Sequence, residues 1–313
     1  MKKTNIKVAV VGTGVIGAGW ATHFLAQGFE VAATDPAPGA ESRLQAWIDE
    51  SWPTVEALGL ADGASRDKLS FTTDVASAVR NADFIQESGP EQLDVKQALI
   101  ATIEAAANPD VIIASSSSGL SASEIQAGAG NPQRIVLGHP FNPSHLIPLV
   151  EVGGGQLTSP QNVGKAMAFY ASTGKKAIRI HKEVKGHIAN RLQVALWQEA
   201  ISLVQRGVAS VEDIDTAIAY GPGLRWALLG PFLNLHASGG AGGITHLLQH
   251  LGPSQRDWAA DLGKYPQTDD YIRQIAQGVD AELEGRDLAA MLRQRDDLLI
   301  RLIAAKRTQS QIP

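Results

Sequence analysis

Two residues suited to proton transfer, His139 and Glu151, bracket the stretch Gly138–Val152, GHPFNPSHLIPLVEV. A histidine held by a carboxylate is a general acid/base matched to neutral pH. The carboxylate fixes one ring nitrogen and leaves the other to take a proton. Pro140, Pro143 and Pro148 forbid a helix across the segment, which therefore reads as strand, turn-rich loop, strand. That geometry can bring the two ends together. It can equally leave a loop histidine and a strand glutamate that never meet, and the segment alone does not choose.

A second group of residues gives such a base something to serve. The run Ile6–Val11 leads straight into Gly12-Thr13-Gly14-Val15-Ile16-Gly17, and residues 18–27 have helical composition. Gly28 ends that helix, Phe29–Thr34 is a second strand, and Asp35 stands at its end. Strand, G-x-G-x-x-G, helix, strand and acid together form the setting of a dinucleotide site. Gly12 permits the tight turn, Gly14 lets the backbone approach a pyrophosphate, and Gly17 lets the helix pack on the strand. The helix N-terminus turns unpaired N–H groups and partial positive charge toward the phosphate. Asp35 can accept from ribose hydroxyls and would repel a 2′-phosphate, so NAD is expected rather than NADP. The alternative is a glycine-rich turn that binds nothing.

The elements around these residues alternate in type. Residues 36–60 look helical with a break at Pro53, and strands are expected at 69–73, 83–87, 111–114, 134–137, 148–152 and 177–180. Asp74 is expected to cap a helix through Arg80, and further helices span 92–107 and 160–173. The strand outlets Ser88–Glu91 and Ser115–Gly119 are plausible site walls, because ligands bind beyond the carboxyl ends of strands in open α/β sheets. A serine cluster is often only a solvated loop, so Ser118 matters only if it faces the same crevice as His139.

Strand signals stop after residue 185. A long helix over 186–204 carries apolar residues at 188, 192, 196, 200, 203 and 204 on one stripe. Asn190, near its start, could point back toward the sheet. Residues 211–219 form another helix, 220–226 a loop and 239–243 a flexible connector, with helices over 244–250, 268–277 and 287–306. The expected fold is α/β: a Rossmann-type, doubly wound, mostly parallel sheet over 1–185, then an all-helical domain over 186–313. Apolar stripes left over on such helices commonly drive dimerisation.

Composition narrows the functional classes. The chain has 313 residues, 44% hydrophobic and 19% charged, which suits two ordinary globular domains. A net charge of −5 with no basic block argues against a nucleic-acid surface. No apolar run is long enough for a membrane span, and the start reads as a first strand rather than a signal peptide, so a cytoplasmic location is the default expectation. The absence of cysteine removes disulfides, thiol nucleophiles and Cys-based zinc sites, and no metal is expected.

The Gly12–Gly17 loop, the His139-Pro-Phe-Asn-Pro143 block, Glu151 in a P-L-V-E-V strand and the Gly186-His-Ile-Ala-Asn190-Arg-Leu helix start occur together in that order. The combination, spanning nearly the whole chain, resembles the 3-hydroxyacyl-CoA dehydrogenase family. The resemblance implies that His139 and Glu151 are a catalytic dyad and that Ser118 and Asn190 bond the substrate oxygen. It also implies that Asn142 stands beside the histidine, that Glu91 and Lys96 line the nicotinamide side of an NAD site, and that Ser118 and Asn142 border the cofactor. Acyl-CoA members carry a G-Y-P-M-G-P-F type segment where this chain has Gly221-Pro-Gly-Leu-Arg-Trp-Ala-Leu-Leu-Gly-Pro-Phe232. This version, continued by Asn234–Ile244, resembles the branch acting on small free hydroxy acids. It implies oxidation of the 3-hydroxyl of L-carnitine to 3-dehydrocarnitine. L-gulonate, a short 3-hydroxyacyl-CoA, or a non-catalytic NAD-binding, crystallin-like role stay open. The substrate carboxylate would suit Arg225, and the quaternary ammonium, which donates no hydrogen bond, would suit the aromatic faces of Phe141, Trp226 and Phe232. Each of these four residues is as readily structural.

Overall fold

The structure is a computed structural model, and it describes residues 6–264 and 268–312. The chain falls into two compact units, residues 1–191 and 192–313. In the first, the strands are β1 (Lys7–Val11), β2 (Glu30–Thr34), β3 (Leu69–Thr72), β4 (Phe84–Glu87), β5 (Ile112–Ser115), β6 (Ile135–Pro140), β7 (Leu149–Gly154) and β8 (Lys176–Ile180). They form one eight-stranded sheet in the order β3-β2-β1-β4-β5-β6-β7-β8. Every neighbouring pair is parallel except β6 with β7, which is antiparallel. The order reverses at β1, so the glycine loop after β1 lies at the switch point between β2 and β4, where a crevice opens.

Helices α1 (Val15–Ala26), α2 (Ala40–Leu58), α3 (Val75–Val79), α4 (Leu93–Ala106), α5 (Ala122–Ile125) and α6 (Pro160–Ser172) connect the strands. The central strands β1, β2, β4, β5 and β6 are buried along most of their length because the sheet is covered on both faces there. One buried cluster joins Val8, Val10, Trp20, Phe24, Leu44, Ile48 and Tyr170. The other joins Ala9, Val11, Ile85, Ile100, Ile103 and Ile113. Alternate residues of β1 thus serve opposite layers. Asp74 caps α3, accepting from the N–H groups of Ala76 and Ser77. The break expected at Pro53 is absent, and α2 runs through it. Pro53 sits on the exposed face, while Leu44, Ile48, Ser51 and Val55 anchor the other face in the core. That burial outweighs the roughly 3 kcal/mol cost of an interior proline.

The second unit is helical: α7 (Ala189–Gln205), which begins in the first unit, then α8 (Val211–Tyr220), α9 (Pro222–Leu229), α10 (Pro231–Ser238), α11 (Gly243–Asp261), α12 (Asp269–Glu282) and α13 (Leu288–Arg307). Two sequence expectations fail here. Residues 220–226 are not a loop, because Pro222 opens α9 at its first position, and Pro231 opens α10 in the same way. Residues 239–243 are not a flexible connector; a 3-10 turn over Gly240–Gly242 leads directly into α11. That helix continues past residue 250 through Pro253, again on an exposed face.

Candidate active site

The antiparallel register of β6 and β7 sets His139 directly opposite Glu151. The two side chains meet, with His139 Nδ1 at 2.9 Å from Glu151 Oε2. His139 is 6% exposed and Glu151 fully buried, and of the two readings of the segment the one in which the residues meet holds. The second carboxylate oxygen, Oε1, accepts from the backbone N–H groups of Ile188 at 2.9 Å and Ala189 at 3.0 Å, where α7 begins. Burial opposes ionisation of Glu151, yet the bond to His139 and the two N–H groups hold its carboxyl below the usual range. An ionised Glu151 draws the ring proton to Nδ1 and leaves the Nε2 lone pair for a substrate proton.

What fixes β6 beneath the histidine is a buried polar network. A Cβ on Gly138 would lie 2.0 Å from the Tyr170 hydroxyl, so the glycine makes room for that ring. The Tyr170 hydroxyl donates to Gln86 Oε1 at 2.6 Å, and burial keeps the phenol neutral. Gln86 Nε2 in turn donates to the Gly138 carbonyl at 3.3 Å and to Ser116 Oγ at 2.8 Å. Three strand ends are thereby joined immediately below His139.

The serine loop after β5 is organised by Glu91. Its Oε1 accepts from Ser117 Oγ at 2.6 Å, Ser118 N at 3.0 Å and Gly119 N at 2.8 Å. Burial works against the Glu91 charge, but these donors and nearby Lys96 favour it and hold the carboxyl below the usual carboxylate range. Lys96 lies under the loop and not on its surface: it is 1% exposed and donates to Glu87 at 3.0 and 3.1 Å and to the Gly89 carbonyl at 3.1 Å. It therefore shapes the β4 outlet from below. Ser118 and Asn142 are exposed and Asn190 half-buried, the last in the first turn of α7 whose neighbouring N–H groups clamp Glu151. Phe141 stands edge-on to His139, ring centres 6.0 Å apart. Arg225 and Trp226 lie on α9 and Phe232 on α10 in the second unit; none of them is buried.

The glycine loop fits a dinucleotide. Gly12 has φ +89°, and a Cβ there would sit 2.6 Å from the Ser88 carbonyl oxygen. A Cβ on Gly17 would sit 1.9 Å from the Gly12 oxygen, whereas one on Gly14 would meet nothing within 4 Å. Gly14 therefore faces the open space that a pyrophosphate requires. Helix α1 starts there with no side-chain cap and no acidic residue in its first turn, leaving its N–H groups to an anion. Asp35 is held in place by Thr13, whose N–H and hydroxyl donate to Oδ2 at 2.8 and 3.2 Å. Val15 is exposed beside Gly14, and the Ile16 carbonyl accepts from Ser144 Oγ at 3.1 Å, pinning the loop after His139 to α1.

Sequence reasoning missed His187, Gln86, Tyr170 and Glu87. The last three occupy apolar stretches with no motif of their own. His187 carried one signal, the glycine before it, since Gly186 and His187 both have positive φ.

Residues 7–184 match the 3-hydroxyacyl-CoA dehydrogenase NAD binding domain and residues 186–271 match the C-terminal domain of that family. The L-carnitine dehydrogenase of Streptomyces coelicolor is 48% identical over 299 residues, covering 96% of this chain and 94% of its own length. That of Pseudomonas putida is 46% identical over 303 residues, covering 96% and 94%. Among solved structures, the NAD+-dependent dismutase 5-formyl-3-hydroxy-2-methylpyridine 4-carboxylic acid 5-dehydrogenase superposes with a TM-score of 0.83 at 29% identity, covering 97% of this chain and 99% of the other. Escherichia coli 3-hydroxybutyryl-CoA dehydrogenase gives 0.62 at 31% identity, covering 68% and 46%. With its glycine cradle, its buried His139–Glu151 pair and both domains matched in order, the chain belongs to the 3-hydroxyacyl-CoA dehydrogenase family.

Proposed function

We propose that this chain is an NAD-dependent dehydrogenase that oxidises the 3-hydroxyl of L-carnitine to 3-dehydrocarnitine. The observation that carries the chemistry is the buried 2.9 Å pair of His139 and Glu151 on a nucleotide-binding sheet. The substrate choice is supported by relatives named for L-carnitine that are 43–48% identical over nearly the full chain. Residues 1–185 bind NAD, and residues 186–313 form the substrate and dimerisation domain. Gly12, Thr13, Gly14, Val15, Ile16 and Gly17 hold the pyrophosphate and Asp35 the adenosine ribose. Glu91, Lys96, Ser118 and Asn142 shape the nicotinamide side.

Bound NAD+ supplies the acceptor for the hydride that leaves C3. His139 takes the hydroxyl proton at Nε2. Glu151 keeps the ring in the Nδ1–H tautomer and stabilises the imidazolium that forms. Ser118 and Asn190 donate to the substrate oxygen and so orient the carbon from which hydride and proton both depart. We assign the substrate carboxylate to Arg225 and the trimethylammonium to the aromatic residues Phe141, Trp226 and Phe232. The exposed apolar residues of the second unit, including Leu192, Trp197 and Trp258, support a homodimer. No helix of the described residues is long and apolar enough to cross a membrane, and we place the enzyme in the cytoplasm, where it draws on the NAD pool.

Replacing His139 with Ala is expected to lower L-carnitine turnover by about 10²–10⁴-fold. NADH affinity, read by fluorescence titration, should stay near the wild-type value. Normal turnover by that variant would remove His139 as the base.

A further inference from the structure

One buried titratable group has no part in that mechanism. His187 is 4% exposed and, among the described residues, is the one non-glycine residue with positive φ, +52°. Residues bearing a Cβ avoid this conformation, so the surroundings must hold it there. Its ring lies against His139, centres 5.1 Å apart, and its Nε2 is 3.0 Å from the Ser117 carbonyl oxygen. The two residues that follow, Ile188 and Ala189, point their N–H groups at Glu151. A single left-handed turn thus touches both halves of the site, the serine loop and the dyad.

Resting on the function proposed above, we infer that His187 is a positioning residue: it donates Nε2–H to the Ser117 carbonyl and fixes the serine loop, with Ser118, relative to His139. The role requires a proton on Nε2. Burial lowers the basicity of His187, and the neighbouring His139 acts in the same direction; the Ser117 bond and the charges of Glu151 and Glu91 act against them. Glu183 lines the small cavity on another side of the ring. A neutral His187 also places no positive charge beside His139 when His139 takes its proton.

The test pairs H187F, which keeps ring volume but cannot donate, with H187Q, whose amide nitrogen reaches a comparable position. H187F is expected to lose about 10–100-fold in kcat. NADH affinity should be unchanged and H187Q should recover most of the loss. Combined with S118A, H187F should cost less than the two single losses multiplied, because both act on the same contact. Wild-type kcat in H187F, or H187Q no better than H187F, would overturn the inference. If H187F does not fold, ¹⁵N-histidine NMR of the wild type, assigned with H187Q, reads the tautomer directly. A ring with its proton on Nε2 agrees, and a neutral Nδ1–H ring contradicts it. H139A run alongside separates the two proposals: full turnover there sinks the base, whereas an inactive H139A with a fully active H187F sinks only the role of His187.

Discussion

The two units differ sharply in how they keep apolar side chains from water. In the first, every residue of β6 is buried, and His139 is delivered on that strand with its partner, its neighbours and the strand beneath it all fixed within the same unit. In the second, Leu247 is the one buried apolar side chain among the described residues beyond glycine. Tyr220 is 80% exposed, Phe232 74% and Trp258 65%. The proposed reaction chemistry therefore rests on a self-contained scaffold. The helices proposed to select the substrate carry apolar faces that a single chain leaves open. A substitution near the dyad should change chemistry with little effect on assembly, and one on an exposed apolar residue of the second unit other than Trp226 or Phe232 should do the reverse.

The largest effect that can break this contrast is expected at Glu151. Glu151→Gln keeps the shape but loses the charge that orients His139, and kcat should fall by about 10²–10⁴-fold with NADH affinity retained. The same variant reports on stability. The folded carboxyl titrates below its ordinary value of 4.5, so its ionisation stabilises the fold above that pH, and the contribution is lost as pH falls through the lowered folded value. Acid unfolding of E151Q, followed by circular dichroism, should therefore depend less on pH in that window than the wild type.

A smaller effect is expected at the cradle. Gly17→Ala sets a Cβ 1.9 Å from the Gly12 oxygen. Overpacking of this kind costs about 1–3 kcal/mol, so NADH affinity should weaken about 5–150-fold while the His139–Glu151 pair is untouched. Calorimetric titration with NADH checks it. The smallest chemical effect is expected from Trp258→Glu on α11. Sedimentation should show the proposed dimer loosened, with NADH affinity per chain unchanged. A dimer as tight as the wild type's would show that this face of α11 is not the interface.

The first unit was the more legible of the two for a physical reason. Parallel strands buried on both faces leave unbroken apolar runs, and the glycine loop needs particular residues at particular spacings. Both can be read without knowing the fold. The meeting of His139 with Glu151 was visible only as one of two alternatives, since register across β6 and β7 decides it. Long-range partnerships were invisible: nothing near Gln86 announces Tyr170, and nothing near Lys96 announces that Glu87 will bury its ammonium. In the second unit, the Gly221-Pro222 pair suggested a loop. Gly221-Pro222 and Gly230-Pro231 instead end one helix and start the next, because proline at the first helical position loses no hydrogen bond. The same rule, applied to the sequence, would have found α9 and α10.

The most direct measurement of the central claim is NAD+ reduction followed by absorbance, with L-carnitine, D-carnitine, L-gulonate and 3-hydroxybutyryl-CoA compared side by side. NADH should form with L-carnitine and far more slowly with the other three. Activity confined to the acyl-CoA or to L-gulonate would contradict the substrate, and no NADH from any of the four would contradict L-carnitine oxidation itself.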